Sequence, residues 1–280
     1  MKKLFFCLFL TGCTTLVKVP EATTVKENPD EAWATVLSRF VDETGRIDFA
    51  KLSHDSASLK AYVSYVSRVS PKSNPDKFPT RDSQIAFYLN SYNALSMYNI
   101  IDGGIPESLS GLTKVKFFYL RKFIIGGQEM SLYDYENKII RKQGEERVHF
   151  ALNCMSVGCP RLPRNPFSSE NLQTQLNAQA KLFFSEERNL KIDANKKQVL
   201  VSEILKFFTE DFLKKSPTLI HYINQYVTNK IPDTYEVEFI PYDWRVNSQT
   251  KKVATKAKRR HHFRFSKWET RLGSNEYIGK

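Results

Sequence analysis

The stretch SQIAFYLNSYNALSMYNII, residues 83–101, is the strongest helical pattern in the chain and decides the fold class. Small and apolar residues recur on one helical face, and two asparagines interrupt that face. Asp82 stands directly before the stretch and is predicted to be its N-cap. The face consists of Ala86, Asn90, Asn93, Ala94, Met97 and Ile101.

The two asparagines on this face require an explanation, because a buried amide without partners costs about 1–3 kcal/mol. In one interpretation, Asn90 and Asn93 bind loop backbone from inside the core. In the other, they line a cleft and orient a substrate or a catalytic group. The sequence leaves both interpretations open, and both residues are therefore candidate substrate-binding residues.

The segments around this helix predict further helices and short strands. Residues 30–43 and 56–70 have apolar side chains at helical spacing. Residues 115–132 predict two strands joined by a turn, and residues 189–202 predict a hairpin. Together with an alternating terminal strand, these patterns predict an α+β fold. The predicted structure is a helix-rich single domain with small antiparallel sheets, over residues 30–248.

The composition indicates a folded protein, and the first residues of the chain indicate export. Hydrophobic residues make up 41% of the 280 residues and aromatic residues 13%, which excludes the disordered class for most of the chain. Lys2 and Lys3 precede a seven-residue apolar run at 4–10. A membrane span needs roughly 20 apolar residues, so this run is typical of a secretory signal instead.

The residues after this run, Leu10-Thr11-Gly12-Cys13, resemble the bacterial lipobox. The resemblance implies cleavage before Cys13 and its acylation, for example with palmitate. It predicts a signal peptide over 1–12 and a lipidated tether over 13–29. Thr14 at the next position implies a lipid anchor in the outer membrane of the bacterial cell envelope, facing the periplasm. The alternative is an ordinary signal peptide in which Cys13 has no role.

The stretch HFALNCMSVGCPRLP, residues 149–163, contains the two thiols that remain after such cleavage. An oxidising compartment favours a disulfide between Cys154 and Cys159, which the short intervening loop permits. A second interpretation makes one cysteine a nucleophile and His149 its base. A third is a redox-active dithiol, although the spacing is not C-x-x-C. We predict no metal and no cofactor, because zinc would lack a fourth ligand.

The catalytic interpretation requires the chain to bend. His149 precedes Cys154 by five residues, so the two side chains lie on different faces of either a strand or a helix. Asp243 and Asn90 are further candidate partners for a thiol. Arg161 and Arg164 directly follow the cysteines and are candidates for binding a carboxylate or a phosphate, or for capping backbone and facing solvent.

Six segments in order resemble the bacterial branch of the domain-of-unknown-function family 547. The resemblance covers roughly residues 30–248 and implies an exported bacterial protein. It implies no particular activity, and plant members often lack the paired cysteines. The segments are AFYLNSYNAL, MSLYDYENKIIR, RVHFALNCMSVGCPRLP, NPFSSENLQTQL, VLVSEILKFFTEDF and PYDWRVN.

Residues 249–280 form a basic tail outside this resemblance. Between Lys251 and Arg271, nine lysines and arginines stand against one acidic residue. For a lipoprotein, residues 251–271 predict contact with an anionic envelope surface, where each basic residue contributes about 1 kcal/mol. The alternative is a solubilising tail. Nucleic acid is not an expected partner of an exported protein.

Two functions follow from the sequence, and it does not decide whether the protein is an enzyme. The first is an envelope lipoprotein that acts as a binding or structural module, with a cleft around Asn90, His149 and a Cys154–Cys159 brace. The second is a thiol-dependent hydrolase or transferase acting on peptide or amide bonds. It would use Cys154 or Cys159 with His149, and Asp243 is the candidate third residue.

Overall fold

Helices dominate the computed structural model, which describes residues 14–21 and 28–249. Most of them follow the predicted segments, but residues 216–229 form only one short helix, and residues 116–120, which were predicted to be strand, form a π-helix. Two short helices, Phe49–His54 and Gly111–Val115, lie outside the predicted helical segments. Among the described residues, no helix is both long and apolar enough to cross a membrane. The α-helices are α1 (Pro29–Phe40), α2 (Phe49–His54), α3 (Ala57–Arg68), α4 (Arg81–Asp102), α5 (Gly111–Val115), α6 (Leu132–Asp134), α7 (Leu172–Ser185), α8 (Ile204–Phe207), α9 (Thr209–Leu213) and α10 (Leu219–Ile223).

Helix α4 is enclosed on all sides. Every side chain from Ile85 to Ile100 is buried, so the single core face predicted for this helix understates its burial. The prediction that Asp82 is the N-cap is wrong. Thr80 caps the helix, because its side chain accepts the Ser83 N–H while the Ser83 hydroxyl accepts the Thr80 N–H.

Each of the two sheets is a hairpin with one added strand. Both predicted hairpins form, and their strands are antiparallel. A parallel strand from a distant part of the chain then joins each hairpin, which makes the sheets mixed. The strands are β1 (Thr15–Leu16), β2 (Arg121–Ile125), β3 (Gln128–Ser131), β4 (Leu190–Asp193), β5 (Gln198–Ser202) and β6 (Glu236–Ile240), in the orders β1-β2-β3 and β4-β5-β6.

Part of the predicted tether packs against the domain. Strand β1 pairs with β2, and Val17 donates its backbone N–H to the carbonyl of Lys122 at 2.8 Å. Val17 and Pro20 are buried. Residues 15–20 therefore do not act as a free linker. The signal peptide at 1–12, Cys13 and the tail from 250 onwards lie outside the described residues.

Two hydrophobic clusters form the core, and the cysteine-containing segment passes between them. The larger cluster surrounds α1, α3 and α4, and the other is built from α7 to α10 with β4 and β5. A 3₁₀-helix at Glu146–Phe150 leads into the cysteine loop. Val148 and Leu152 belong to the first cluster, whereas Phe150 belongs to the second. This junction places the loop between two packed bodies of side chains.

Candidate functional site

Two asparagines hold the cysteine loop from the inside. Asn93 on α4 donates to the carbonyl of Ala151 at 3.0 Å and accepts the backbone N–H of Asn153 at 2.7 Å. The Asn153 side chain accepts the N–H of Met155 and donates to the carbonyl of Pro160, both at 2.7 Å. Because all these groups are buried, the two amides fix the backbone on both sides of the first cysteine.

The segment 242–247 holds the loop from the outside. The N–H of Val157 donates to the carbonyl of Arg245 at 2.8 Å, and that of Gly158 donates to the carbonyl of Asp243 at 2.9 Å. A Cβ atom on Gly158 would lie 2.9 Å from the backbone nitrogen of Asp243. Only glycine therefore permits this close approach.

Met155, directly after the first cysteine, has an unusual backbone conformation. Its φ of 69° lies in the left-handed region, although the residue is fully buried and is not a glycine. Such a conformation costs on the order of 1–3 kcal/mol and is concentrated at functional sites. The strain marks the turn at which the chain bends between His149 and the second cysteine.

The two sulfur atoms lie side by side as free thiols. Cys154 Sγ is 2.8 Å from Cys159 Sγ, longer than the roughly 2.05 Å of a disulfide bond. Cys154 Sγ also lies 3.3 Å from both Ser156 Oγ and Tyr242 Oη. Cys159 Sγ accepts the backbone N–H of Cys154 at 3.0 Å and lies 3.0 Å from Tyr242 Oη. The predicted Cys154–Cys159 disulfide therefore stays a prediction. The sulfur separation of 2.8 Å permits it.

The surroundings make the two thiols unequal. Burial opposes ionisation of Cys154, but hydrogen bonds from Cys159, Ser156 and Tyr242 outweigh it and lower the pKa of its thiol to about 6. Burial and the neighbouring Cys154 raise the pKa of Cys159 well above its ordinary value. Cys154 is also the more accessible of the two, since Cys159 is only 3% exposed. Cys154 is therefore the thiolate that can react near neutral pH.

His149 is paired with a carboxylate that the sequence analysis did not identify. Its Nε2 lies 3.0 Å from Asp211 Oδ2 on α9, and its ring stacks on Phe208 at a centroid distance of 3.7 Å. Asp211 also binds Arg141 Nε at 2.7 Å and Lys214 Nζ at 3.0 Å. Burial raises the pKa of Asp211, but these hydrogen bonds outweigh it and hold the pKa well below its ordinary value.

These contacts determine where the proton of His149 lies. Burial lowers the pKa of His149, although Asp211 opposes that change, so the ring is neutral at pH 7. An ionised Asp211 only accepts hydrogen bonds, which places the proton on Nε2. Within the described part of the chain, Nδ1 is buried and has no hydrogen-bond partner. A basic lone pair is therefore left on Nδ1.

One small cavity brings these groups together. Its volume is about 50 Å³, and Cys154 and Trp244 at its edge are partly exposed. A water molecule occupies about 30 Å³ in the liquid, so the cavity admits a small group rather than a whole side chain. Its lining consists of Tyr92, Phe118, Glu136, His149, Leu152, Cys154, Cys159, Pro160, Ile204, Phe207, Phe208, Tyr242 and Trp244.

Glu136 is a second titratable group in this cavity. It lies on a π-helical turn, Tyr135–Ile140, and such turns are frequent at functional sites. It is buried, and the hydroxyl of Tyr92 donates to its Oε2 at 2.9 Å. Burial raises the pKa of Glu136 to about 7; the charge of Cys154 acts in the same direction and the bond from Tyr92 opposes it. The cavity therefore contains a carboxyl group that exchanges protons near neutral pH.

Comparison with known families supports the resemblance over the middle of the chain. The model of a family described as "Protein of unknown function, DUF547" matches residues 75–184. No curated protein and no solved structure matches the chain significantly.

The DUF547 match includes most of the cavity but not all of it. It covers Glu136, His149, Cys154 and Cys159, together with the asparagines of α4. Asp211 lies beyond the match, as do Tyr242 and the segment that holds the loop from the outside. The matched range therefore supplies the thiols and the imidazole, whereas the carboxyl-terminal part supplies the groups that orient them.

The other predicted site residues lie away from the cavity lining. Asp243 is at the surface, where its carboxylate binds Arg245. Arg161 binds Glu186 at 2.5 Å, and Arg164 binds Glu43. Neither arginine faces the cavity as a binding group.

Asn90 likewise serves the core. It accepts the Trp33 Nε1–H at 3.2 Å and makes two hydrogen bonds to the backbone of Phe167. Asn90 and Asn93 thus follow the interpretation in which amides hold loop backbone. Within the described ranges, no cluster of three or more His, Cys, Asp or Glu side chains has the arrangement of a metal site.

Sequence reasoning missed two residues of the cavity lining, Glu136 and Tyr242, and the carboxylate that pairs with His149, Asp211. Glu136 and Asp211 each belong to charged, helical segments that are indistinguishable from solvated faces by pattern alone. Tyr242 lies next to Asp243, the acidic residue that the sequence analysis singled out instead. Glu136 lies on a π-helical turn, which would have drawn attention to it. The spacing of apolar residues in the sequence, however, does not predict a π-helical turn.

Proposed function

We propose that this domain is a thiol-dependent hydrolase or transferase that acts on peptide or amide bonds, with Cys154 as its nucleophile. The observation that supports the proposal is that the Cys154 thiol lines the same cavity as the His149 ring, whose Nε2 is paired with Asp211 behind the lining. A nucleophile, a base and a group that orients the base are the parts that thiol acyl transfer requires.

The residues divide the chemistry as follows. The Cys154 thiolate attacks the carbonyl carbon and forms a thioester when the amine leaves. Because Cys154 is already a thiolate near neutral pH, His149 Nδ1 acts in the second half of the reaction. There it takes a proton from the water or acceptor that releases the acyl group and returns that proton to Glu136. Asp211 keeps the imidazole in the required tautomer. Glu136 supplies a proton for the departing amine, since its pKa is about 7.

The size of the cavity limits how a substrate binds. A space of about 50 Å³ accommodates a carbonyl group but not the rest of a peptide. The remainder of the substrate would lie outside, near Trp244 and Tyr242. We therefore expect the protein to discriminate little between acyl side chains. Its reaction rate should depend strongly on how accessible the carbonyl group of the substrate is.

A second candidate is a binding or structural module in which a Cys154–Cys159 disulfide braces the loop. The sulfur separation of 2.8 Å favours it. Closing so short a loop stabilises by only about 2 kcal/mol, and Asn93 and Asn153 already hold its backbone. The brace would therefore add little to a loop that is fixed without it.

Export to the cell envelope and a lipid on Cys13 are further proposals, supported by the leader sequence and its lipobox. Mass spectrometry of the amino terminus of the mature protein tests them. We expect an acylated Cys13 as the first residue, and an unmodified Met1 would contradict this. Binding of anionic vesicles by residues 251–271, lost at high salt, would support the proposed surface contact.

Alkylation of the purified protein tests the nucleophile. We expect Cys154 to react with iodoacetamide at a rate that rises through a pKa of about 6, because only the thiolate reacts. Cys159 should stay unreactive up to about pH 9, because its pKa is raised. Mass mapping after timed alkylation between pH 4 and 9 gives both profiles.

The variants Cys154→Ser and Cys159→Ser serve as a matched pair in this experiment. The first should abolish fast alkylation, whereas the second should preserve it, because serine still donates a hydrogen bond to Cys154. Release of p-nitrophenol from an ester probe should follow the same pattern. Two thiols that resist alkylation until a reductant is added would instead favour the braced module.

A further inference from the structure

We infer that Cys154 and Cys159 also act as a dithiol couple that exchanges with the disulfides of small thiols, with Cys154 attacking and Cys159 resolving. This inference rests on the proposed nucleophilic role of Cys154. It adds a second activity to the same cavity, and its substrate class is a low-molecular-weight disulfide such as oxidised glutathione.

The two sulfurs are placed for this sequence of events. Cys154 is partly exposed and can meet an external disulfide, whereas Cys159 is buried behind it. The sulfurs are only 2.8 Å apart, so Cys159 reaches the sulfur of Cys154 with little movement. Asn153 binds the carbonyl of Pro160 and thereby holds the second thiol in position.

The exchange balances without any other reactant. The Cys154 thiolate attacks one sulfur of the external disulfide, forms a mixed disulfide and releases the first thiolate. Cys159 loses its proton and attacks Cys154 Sγ, which releases the second thiolate and leaves a Cys154–Cys159 disulfide. The two protein thiols are oxidised, and the external disulfide is reduced to two thiols.

The first step prepares the second. The charge of Cys154 contributes to the raised pKa of Cys159, and this charge is lost when Cys154 enters a mixed disulfide. The backbone N–H of Cys154 already donates to Cys159 Sγ at 3.0 Å and stabilises a thiolate there. Glu136, in the same cavity, is the group that accepts the proton. The resolving thiol is therefore activated only after an adduct has formed.

Reaction of the reduced, full-length protein with oxidised glutathione tests the inference. In the wild type, we expect an intramolecular disulfide and no lasting glutathione adduct, as read by intact-mass spectrometry after acid quench. In Cys159→Ser, glutathione should remain on Cys154 at least ~100 times longer, because the intramolecular step is missing. Cys154→Ser is the matched control and should take up no glutathione on the same time scale.

The outcomes separate this inference from the proposed function. If the wild type retains glutathione on Cys154 while Cys154 still alkylates with a pKa near 6, the couple is absent and the nucleophile stands. If Cys154 takes up neither glutathione nor iodoacetamide, both proposals fail. Cys159→Ala provides a second variant without the hydroxyl group, and near-ultraviolet circular dichroism verifies that each variant is folded.

Discussion

Replacing Asp211 with alanine should destabilise the domain by about 3–5 kcal/mol, because it removes one partner of a buried ion pair. Arg141 and His149 would lose the carboxylate that binds both of them. The Asp211 side chain also connects α9 to His149, which lies in the segment before the cysteine loop. Urea unfolding of the wild type and of Asp211→Ala at pH 7 measures the difference.

Asp243→Ala is the matched control, since it removes a carboxylate from an exposed pair. Its partner Arg245 is largely in solvent, and such pairs contribute at most about 1 kcal/mol. A loss of stability in Asp211→Ala no larger than that in Asp243→Ala would show that the buried pair is not formed. In that case Asp211 would not be the group that orients His149.

The same carboxylate should make the domain sensitive to acid. The pKa of Asp211 is lower in the folded state than in the unfolded state, so the unfolded state binds its proton first as the pH falls. Its stabilising contribution is present above pH 3.8 and is lost below it. The slope of stability against pH in this acidic range should therefore be smaller in Asp211→Ala than in the wild type.

Most of the fold could be predicted from local patterns. The central helix, both hairpins and the helix over 30–43 depend on the spacing of apolar residues and on turn chemistry, which act over a few positions. The terminal strand β6 was predicted from its alternation, but its parallel pairing with β5 was not, and β1 was not predicted at all, because both strands pair with strands that are distant in sequence. The burial of α4 on all sides likewise depends on neighbours from several parts of the chain.

The candidate site was only half predictable, for the same reason. His149, Cys154 and Cys159 are rare residue types in one short stretch, so composition alone draws attention to them. Their partners are common acidic and aromatic residues whose roles depend on burial. Asp243 and Asp211 look alike in sequence, and only the fold places one at the surface and the other against His149.

Replacing Glu136 with glutamine should raise the free energy of unfolding at pH 8 by about 3 kcal/mol. The pKa of this carboxyl rises from 4.5 to about 7 in the folded protein, so at high pH the fold contains a buried charge that the unfolded chain solvates. Glutamine has nearly the same shape and still accepts the hydrogen bond from Tyr92. It removes the charge and retains the packing.

The direction of the predicted change in the free energy of unfolding follows from its pH dependence. Between pH 4.5 and about 7, the folded wild type retains a proton that the unfolded chain has released, so stability falls as pH rises. The difference between Glu136→Gln and the wild type should be near zero at pH 4, grow through this window and stay constant above it. Urea unfolding at half-unit steps from pH 4 to 8 measures it.

Glu43→Gln is the matched control, because Glu43 is exposed and the change should stay within about 0.5 kcal/mol at every pH. A Glu136→Gln variant that is no more stable than the wild type at pH 8 would mean that burial of the Glu136 carboxylate does not destabilise the fold. If the variant is more stable yet slower in thiol chemistry, stability alone does not explain Glu136. A buried carboxyl that opposes folding and speeds reaction at Cys154 is then a proton carrier for that thiol.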